Sequence, residues 1–541
     1  MALNVTQDRN SSNQENKAGQ LPIGLASFED LRSINAVYVD KTDKVYELAK
    51  EKSFYFMARP RRFGKTLLLN TFASLFQNKL RYFKYLKIEK LWTEDVSYPV
   101  IRLNFAQTIC QTGSFDDFKL NFEVLLRNSL KEAGFDFPPK EKADTLAARF
   151  QNAITSTTNK HIVLLIDEYD APLNSTLNEP KLFEKIRSEL NSFYVVVKEL
   201  SYYWRFLFIT GICKYKNLSI FSATNFITDI SLFSKYGDLL GYTEDELKEY
   251  FSPFIENATT CLKISFNDCI EQMRINYDGN CFDEDTATHV YTPWSVLSFL
   301  KYPERGFKNY WYTSGGNASV LLNYIKDNSL SDPSMYAEDK IISIDDLDSC
   351  KDLSNLNELS LLVQTGYLTI KQKLSDTLYI LNYPNKEVSN SFARLYGDKF
   401  ATVKTQQSLL ITFLKGTADD IITEFNSLLL SIPYHHFMVK NESILRMVIG
   451  CSLKACGLDV EFEHVNAHGR SDIEVKCDDR LFVIELKFTK TQEQATKLLD
   501  NAIAQIKKCH YGEQISPSIQ HIHMALVYSE SDRKITASKI F

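Results

Sequence analysis

The sequence predicts a multidomain α/β protein. Three observations carry that reading: a length too great for one core, apolar runs alternating with helical patterns, and a second α/β pattern towards the C-terminus. At 541 residues the chain exceeds the roughly 100–200 residues of a single domain, so about three or four domains are expected. Hydrophobic residues make up 44% and charged residues 24%, which excludes a disordered, collagen-like or coiled-coil chain. The net charge of −6 leaves no global basic field, so any contact with nucleic acid has to rest on local patches.

The first 20 residues are polar and lack the apolar stretch of a signal peptide, which predicts a solvated, disordered tail. From Leu21 to about Tyr250 the runs SFYFMA, YPVIRLNF, HIVLLID and RFLFITG are each followed by a longer mixed segment, the pattern of a parallel α/β sheet. SFEDLRSINAVYVDKTDKVYELAKE reads as a helix and loop leading into that sheet. Residues 251–330, with YDGNCF, YTPWSVLSFL and FKNYWYTSGG, predict a small helical lid. Residues 331–400 predict a helix and two strands around a polar turn, a winged-helix-like linker, so that 251–400 forms one middle module. From about residue 401 to 541 two helical stretches precede the strand pair SDIEVKC and LFVIELKF. A helix around TKLLDNAIAQIKKCHY and a last strand HIHMALVYS complete a separate α/β unit.

Ten cysteines are scattered without a CxxC pair, which argues against a zinc ribbon or a disulfide framework. No run reaches the roughly 18 apolar residues of a membrane span. The expectation is a cytoplasmic protein with reduced thiols and no membrane partner, and a homo-oligomer is compatible with it.

Two constellations carry chemistry. After SFYFMA comes RPRRFGKT and then the helical TLLLNTFASLF. Strand, loop, Gly64-Lys65-Thr66 and helix is the order in which backbone amides cradle phosphates, with Lys65 reaching the β/γ oxygens and Thr66 holding Mg²⁺. The first glycine of the usual motif is replaced by Arg59, and Gly-Lys-Thr at a helix start also arises without function. HIVLLIDEYD ends in Asp167 and Glu168, where one acid holds Mg²⁺ and the second polarises the attacking water. The plain alternative is a buried strand with a polar end. Thr210, at the end of RFLFITG, is a candidate γ-phosphate sensor or simply a core threonine.

The second constellation is the hairpin. A two-residue turn at Asp478-Asp479 pairs Cys477 with Arg480 and, counting back, sets Asp472 opposite Glu485. Ser471, Ile473 and Val475 then lie with Leu486, Ile484 and Phe482 on the buried face, whereas Asp472, Glu474, Glu485 and Lys487 share the other. Two opposed carboxylates repel unless a cation or proton lies between them. With a lysine beside them they form the set that Mg²⁺-dependent phosphodiester hydrolysis needs. The alternative is a solvent-facing strand pair with scattered charges.

These residues also carry a resemblance. LPIGLASFEDLRSINAVYVDKT, RPRRFGKTLLLN, IVLLIDEYDAPL and TGICKYKNLSIFSATNFITDIS resemble the AAA-ATPase-like, P-loop NTPase-like domain of a family that joins it to a C-terminal PD-(D/E)XK nuclease of restriction-endonuclease-like fold. YTPWSVLSFL, NYW, QTGYLTI and YPNKEV resemble the family's middle region. The resemblance implies ATP and Mg²⁺ as cofactors, with Arg62, Gly64, Lys65, Thr66, Asp167 and Thr210 around the nucleotide and Glu168 as base. In that family the arginine-rich loop stands in place of the glycine-rich one. It further implies Asp472, Glu485 and Lys487 as the nuclease core, with Asp472 and Glu485 holding metal and Gln505 orienting DNA or the lysine. The implied partner is nucleic acid, DNA before RNA. Tyr511 lies further from Gln505 than in some relatives, and Glu442 and Glu463 are candidate extra acids or plain solvated glutamates. The expected function is ATP binding, with hydrolysis expected to follow, coupled to Mg²⁺-dependent nucleic-acid cleavage. The alternative is a nucleotide-binding switch or scaffold with silent sites.

His464 and His468 precede a loop glycine and do not read as a zinc pair. Trp294 and Trp311 read as packing aromatics before base-stacking ones. Lys487, Lys490, Lys507 and Lys508 are a local phosphate-binding patch or merely solvated.

Overall fold

The computed structural model describes residues 19–541 apart from 110–112, 141–144, 159–160, 216–217, 219–225, 317–320, 322–338, 348–356, 433–437, 463–464, 467–468, 510 and 512–518. The chain divides into two compact units, residues 1–329 with 339–388 and residues 330–338 with 389–541.

In the first unit the four apolar runs become β1 (Ser53–Ala58), β2 (Val100–Asn104), β3 (Ile162–Asp167) and β4 (Trp204–Gly211), joined by a short edge strand β5 (Thr228–Asp229). They form one parallel sheet in the order β2-β3-β4-β1-β5. Every residue of β3 and β4 is buried, as expected of central parallel strands covered on both faces. Helix α1 (Lys65–Phe76) follows β1 and sets Phe72 and Phe76 against Phe206 at ring separations of 4.8 and 5.0 Å. A second aromatic group joins Phe105 on the segment after β2, Phe122 on α2 (Phe115–Glu132) and Phe193 on α3 (Pro180–Glu199). The leading segment holds two helices, Phe28–Ser33 and Thr42–Ala49, where one was expected. Asp40, just ahead of the second, accepts from Thr42 N at 3.0 Å.

The middle region packs in this same unit. Helices α4 (Glu244–Leu262), α5 (Phe266–Tyr277) and α6 (Pro293–Lys301) flank the two-stranded β6 (Asn280–Cys281) and β7 (His289–Val290). Beyond them β8 (Lys340–Ser343), helix α7 (Glu358–Gln364), β9 (Thr369–Lys373) and β10 (Leu378–Asn382) follow, with sheet order β8-β10-β9. The helix and two strands agree with the sequence reading, and β8 is an added third strand.

After a helix at Lys386–Phe400, three helices rather than the expected two lie between residue 402 and the hairpin: α8 (Val403–Lys415), α9 (Ala418–Ser431) and α10 (Glu442–Ala455). Strands β11 (Asp459–Phe462), β12 (Val465–Asn466), β13 (Gly469–Arg470), β14 (Ile473–Cys477) and β15 (Arg480–Thr489) precede α11 (Ala495–Cys509), β16 (Gln520–Ser529) and β17 (Lys534–Ile540). The five-stranded sheet runs β11-β14-β15-β16-β17, with β15 and β16 parallel and the other pairs antiparallel. HIHMALVYS is therefore not the last strand. KITASKI, whose alternate residues are polar, pairs at the edge beyond it. Helix α11 packs Ala502 and Ile506 on Leu481, Val483 and Ala525, while Phe413 of α8 meets Phe482 at 5.0 Å. Both faces of the hairpin are thus covered, and the face carrying the acids is not open to solvent as a plain alternation suggests.

One close approach in the first unit ties β3 to β4. Asp170 accepts from Ile212 N at 3.1 Å and Cys213 N at 2.7 Å, and Tyr169 donates to Cys213 O at 2.6 Å. A Cβ at Gly211 would meet Asp170 Oδ1 and a Tyr169 ring carbon at 2.5 Å. Gly211→Ala is expected to lower stability by about 1–3 kcal/mol through overpacking, read as a lower midpoint in urea unfolding. An unchanged midpoint would show that this contact is soft.

Candidate functional site

The first unit brings the phosphate-loop residues and the DEYD residues together. Thr66 Oγ1 donates to Asp167 Oδ2 at 2.7 Å, so the hydroxyl at the start of α1 and the acid at the end of β3 face one another. Strand β4 lies between β1 and β3, with Thr210 beside Met57 of β1. The Thr210 hydroxyl is fully buried and has no hydrogen-bond partner. Glu168 takes a left-handed backbone with φ 49°. Burial, reinforced by the charge of Asp167, raises its carboxyl pKa.

The loop reaches its curvature without the usual glycines. Gly64 has φ 99° and Arg62, which is not glycine, has φ 72°. Arg59 is 1% exposed. Its guanidinium donates to the carbonyls of Ala58, Ser231 and Tyr236 and lies 4.3 Å from the Phe282 ring centre. Desolvation lowers its pKa to about 9. Arg59 is thus a strut that fastens the end of β1 to the segment after β5. The Arg62 guanidinium lies over Trp294 at 4.5 Å and donates to Ser314 O. Lys65 donates to Arg59 O and Pro60 O, both at 2.8 Å, and burial lowers its pKa. The ammonium is therefore folded onto its own loop.

A cavity of about 460 Å³ opens over this loop. Gly64, Lys65, Thr66 and Glu168 line its polar part, and Leu25, Val37, Leu240, Pro293 and Leu297 its apolar part. That volume and mixture of linings suit a small-molecule ligand with one anionic end. The middle region supports the loop from behind. Trp311 Nε1 donates to Arg61 O at 3.4 Å, Trp311 packs edge-on to Tyr367, and the position of a Gly366 Cβ is 2.8 Å from Pro60. Trp311 is 2% exposed and Trp294 carries Arg62, so neither is a free stacking platform.

In the second unit the register is Cys477 with Arg480 through Ile473 with Ile484, as counted from the turn. The ladder ends there, one step before Asp472 and Glu485. Asp472 accepts from Leu486 N at 2.7 Å through Oδ2. Glu485 is 1% exposed. Lys487 Nζ donates to its Oε1 at 2.7 Å, while Oε2 is buried without a donor. Burial, then the charge of Asp472, pushes the Glu485 carboxyl up to about 7 against the pull of Lys487. A solvent-facing hairpin with scattered charges is excluded by this burial.

Helix α10 adds residues that the sequence reading weighed lightly or missed. Glu442 lies 3.6 Å from Lys487 Nζ, and Arg446 donates to Asp472 Oδ1 at 2.9 Å. The signal for Arg446 was its position four residues after Glu442, which places both on one helix face. Gln505 of α11 donates to Tyr511 OH at 3.3 Å, and Tyr511 donates to Arg470 O at 2.7 Å, so the longer spacing still brings the two side chains together. Glu463, His464 and His468 lie outside the described residues. Glu474 bonds to Ser471 at 2.8 Å and stands apart from this set.

Among the described residues no three His, Cys, Asp or Glu side chains form a metal-binding group. The chemistry of the donors nonetheless fits a hard cation that keeps much of its water. Asp472 and Glu485 would be oxygen ligands, and the donorless Oε2 of Glu485 is a buried carboxyl oxygen that a cation would satisfy. Thr66 and Asp167 offer a hydroxyl and a carboxylate of the same hardness. No helix among the described residues is long and apolar enough to cross a membrane.

Comparison with known proteins agrees with both halves. Residues 22–221 match the family described as Predicted AAA-ATPase, and residues 440–539 match the PD-(D/E)XK nuclease superfamily. Over 533 residues the chain is 27% identical to a protein of Azotobacter chroococcum mcd 1 described as "Uncharacterized protein in vnfD 5'region", covering 95% of this chain and 98% of that protein.

The loop support contains a buried acid whose titration is measurable. Glu387 accepts from Ser295 Oγ and Trp311 N, both at 2.7 Å, and burial pushes its carboxyl up to about 8. The folded chain therefore keeps a proton that the unfolded chain releases near its ordinary value. This contribution to stability is complete at acid pH, declines as pH rises, and is gone above the folded value of about 8. The unfolding midpoint is expected to fall between about pH 5 and 8, and Glu387→Gln is expected to flatten that fall. Equal slopes in the two proteins would contradict it.

Proposed function

We propose that this chain, which carries a predicted AAA-ATPase domain over residues 22–221 and a PD-(D/E)XK nuclease superfamily domain over residues 440–539, binds ATP·Mg²⁺ in the first unit and cleaves nucleic-acid phosphodiester bonds in the second. DNA is preferred over RNA as the substrate to test first. The working division is a tail at 1–20, the ATPase-like domain at 21–250, the middle module at 251–400 and the nuclease-like domain at 401–541.

The observation that carries the nuclease reading is the buried acid pair with its lysine. Two buried carboxylates just beyond the end of a covered hairpin ladder, one oxygen of which has no donor, have no structural value comparable to their desolvation. Asp472 and Glu485 would hold Mg²⁺, which when bound polarises the phosphoryl oxygen and makes a water acidic enough to attack. Lys487, held against Glu485, places an ammonium where it stabilises hydroxide or the pentavalent phosphorane. Gln505, fixed to Tyr511, orients the substrate or the lysine.

In the first unit Gly64 and Lys65 would take the phosphates, Thr66 and Asp167 the Mg²⁺, and Glu168, whose carboxyl is made more basic by burial, would accept a proton from the attacking water. Thr210, central in the sheet with an unpartnered hydroxyl, would respond to the γ-phosphate, and Arg62 would close the rim from Trp294. A second reading, a nucleotide-binding switch that hydrolyses slowly or not at all, is favoured by the Lys65 ammonium being bonded to Arg59 O and Pro60 O. Bound phosphate has to displace those two bonds.

Purified protein incubated with DNA or RNA, with and without Mg²⁺ and ATP, tests both halves in one assay. Asp472→Ala is expected to abolish cleavage and spare ATP binding, and Lys487→Ala to lower the cleavage rate by about 10²–10³-fold. Cleavage that survives Asp472→Ala removes the nuclease assignment. Lys65→Ala is expected to weaken ATP binding and change the nucleotide dependence of cleavage, measured by fluorescent-nucleotide titration. Unaltered binding would remove the loop from the nucleotide site.

A further inference from the structure

Glu442 and Arg446 stand one turn apart on α10, and their side chains meet the acid-bearing end of the hairpin. Glu442 faces the Lys487 ammonium, whereas Arg446 Nη1 donates to Asp472 Oδ1 at 2.9 Å. The arginine and aspartate side chains are 12% and 9% exposed. At that burial their attraction is stronger than in water, and either charge left alone would be strongly disfavoured.

The other oxygen of Asp472 accepts from Leu486 N at 2.7 Å, so both of its oxygens are fixed by donors and one donor carries a full positive charge. Glu485 differs: Lys487 takes Oε1, and Oε2, buried to 1% residue exposure, has no donor. The open coordination position therefore belongs to Glu485. Phosphodiester sites that use two ions keep them about 3.5–4 Å apart. Placing a second ion on Asp472 Oδ1 would bring it against a guanidinium of like charge in a water-poor setting.

We propose that Arg446 is a positioning residue of the cation site, which fixes Asp472 through Oδ1 and, by holding that oxygen with a positive charge, limits the site to one divalent cation. The inference rests on the nuclease reading. With an uncharged residue at position 446, Asp472 Oδ1 becomes an open oxygen donor for a second ion.

The test counts bound Mn²⁺, which shares the oxygen-ligand preference of Mg²⁺, by electron paramagnetic resonance on the full chain without nucleotide. The ions lost on adding Glu485→Gln report the C-terminal site alone. One ion is expected in the unsubstituted chain, two in Arg446→Gln and one in Arg446→Lys, which restores the charge. A merely structural arginine would not raise the count. Two ions in the unsubstituted chain, or one in a folded Arg446→Gln, overturns the proposal. If Arg446→Gln fails to fold, Arg446→Met, which keeps the apolar stem without the charge, takes its place, with two ions expected and one overturning the proposal. Loss of no Mn²⁺ on Glu485→Gln sinks the cation site itself, and with it the nuclease reading, whatever Arg446 does.

Discussion

Two buried carboxylates at the end of one hairpin set the terms for the second unit. Burial, reinforced by the charge of Asp472, raises the cost of ionising Glu485, and both acids are buried. Three charged neighbours answer that constraint. Lys487 bonds to Glu485, Arg446 to Asp472, and Glu442 balances Lys487 from the helix. The result is a network in which acids and bases alternate, with one carboxyl oxygen left without a donor. A fold that only needed stability would have an apolar pair at these positions.

The first unit meets a different constraint. A phosphate loop needs backbone amides turned inward, and ordinary versions reach that shape with glycine. Here one glycine, Gly64, and one strained arginine, Arg62, supply the left-handed positions. The rigidity comes from outside the loop. Arg59 is bolted to three carbonyls and a phenylalanine face, and Trp311, Gly366 and Trp294 of the middle region back the remaining residues. The middle region is therefore part of what shapes the loop. Substitutions at Trp311 or Gly366, far from Lys65 in sequence, act on the same backbone that holds its ammonium.

Local pattern and tertiary context contributed separately. Alternation of apolar runs with helices was enough to place β1 to β4, since a central parallel strand must be apolar on both faces and such runs are visible in a single sequence. The hairpin register was legible too. A two-residue turn allows one pairing, and the ladder follows it from Cys477 with Arg480 to Ile473 with Ile484, one step short of Asp472 and Glu485. Less visible were β17, whose exposed edge leaves it polar at alternate positions, and the division of the helical stretch before the hairpin into three.

The sequence by itself determined which residue types lie at the ends of which strands: Lys65 and Thr66 after β1, Asp167 and Glu168 after β3, Asp472, Glu485 and Lys487 across the hairpin. Those placements follow from periods of two and turns of two, which are local. Only the tertiary structure decided the partners. Arg446 reaches Asp472 across 26 residues of chain, Trp311 reaches Arg61 across 250, and Arg59 becomes a strut because Ser231, Tyr236 and Phe282 close around it. Helix periodicity says that Glu442 and Arg446 share a face but not which face is turned to the sheet, and a buried charge has no meaning until its desolvating neighbours are in place.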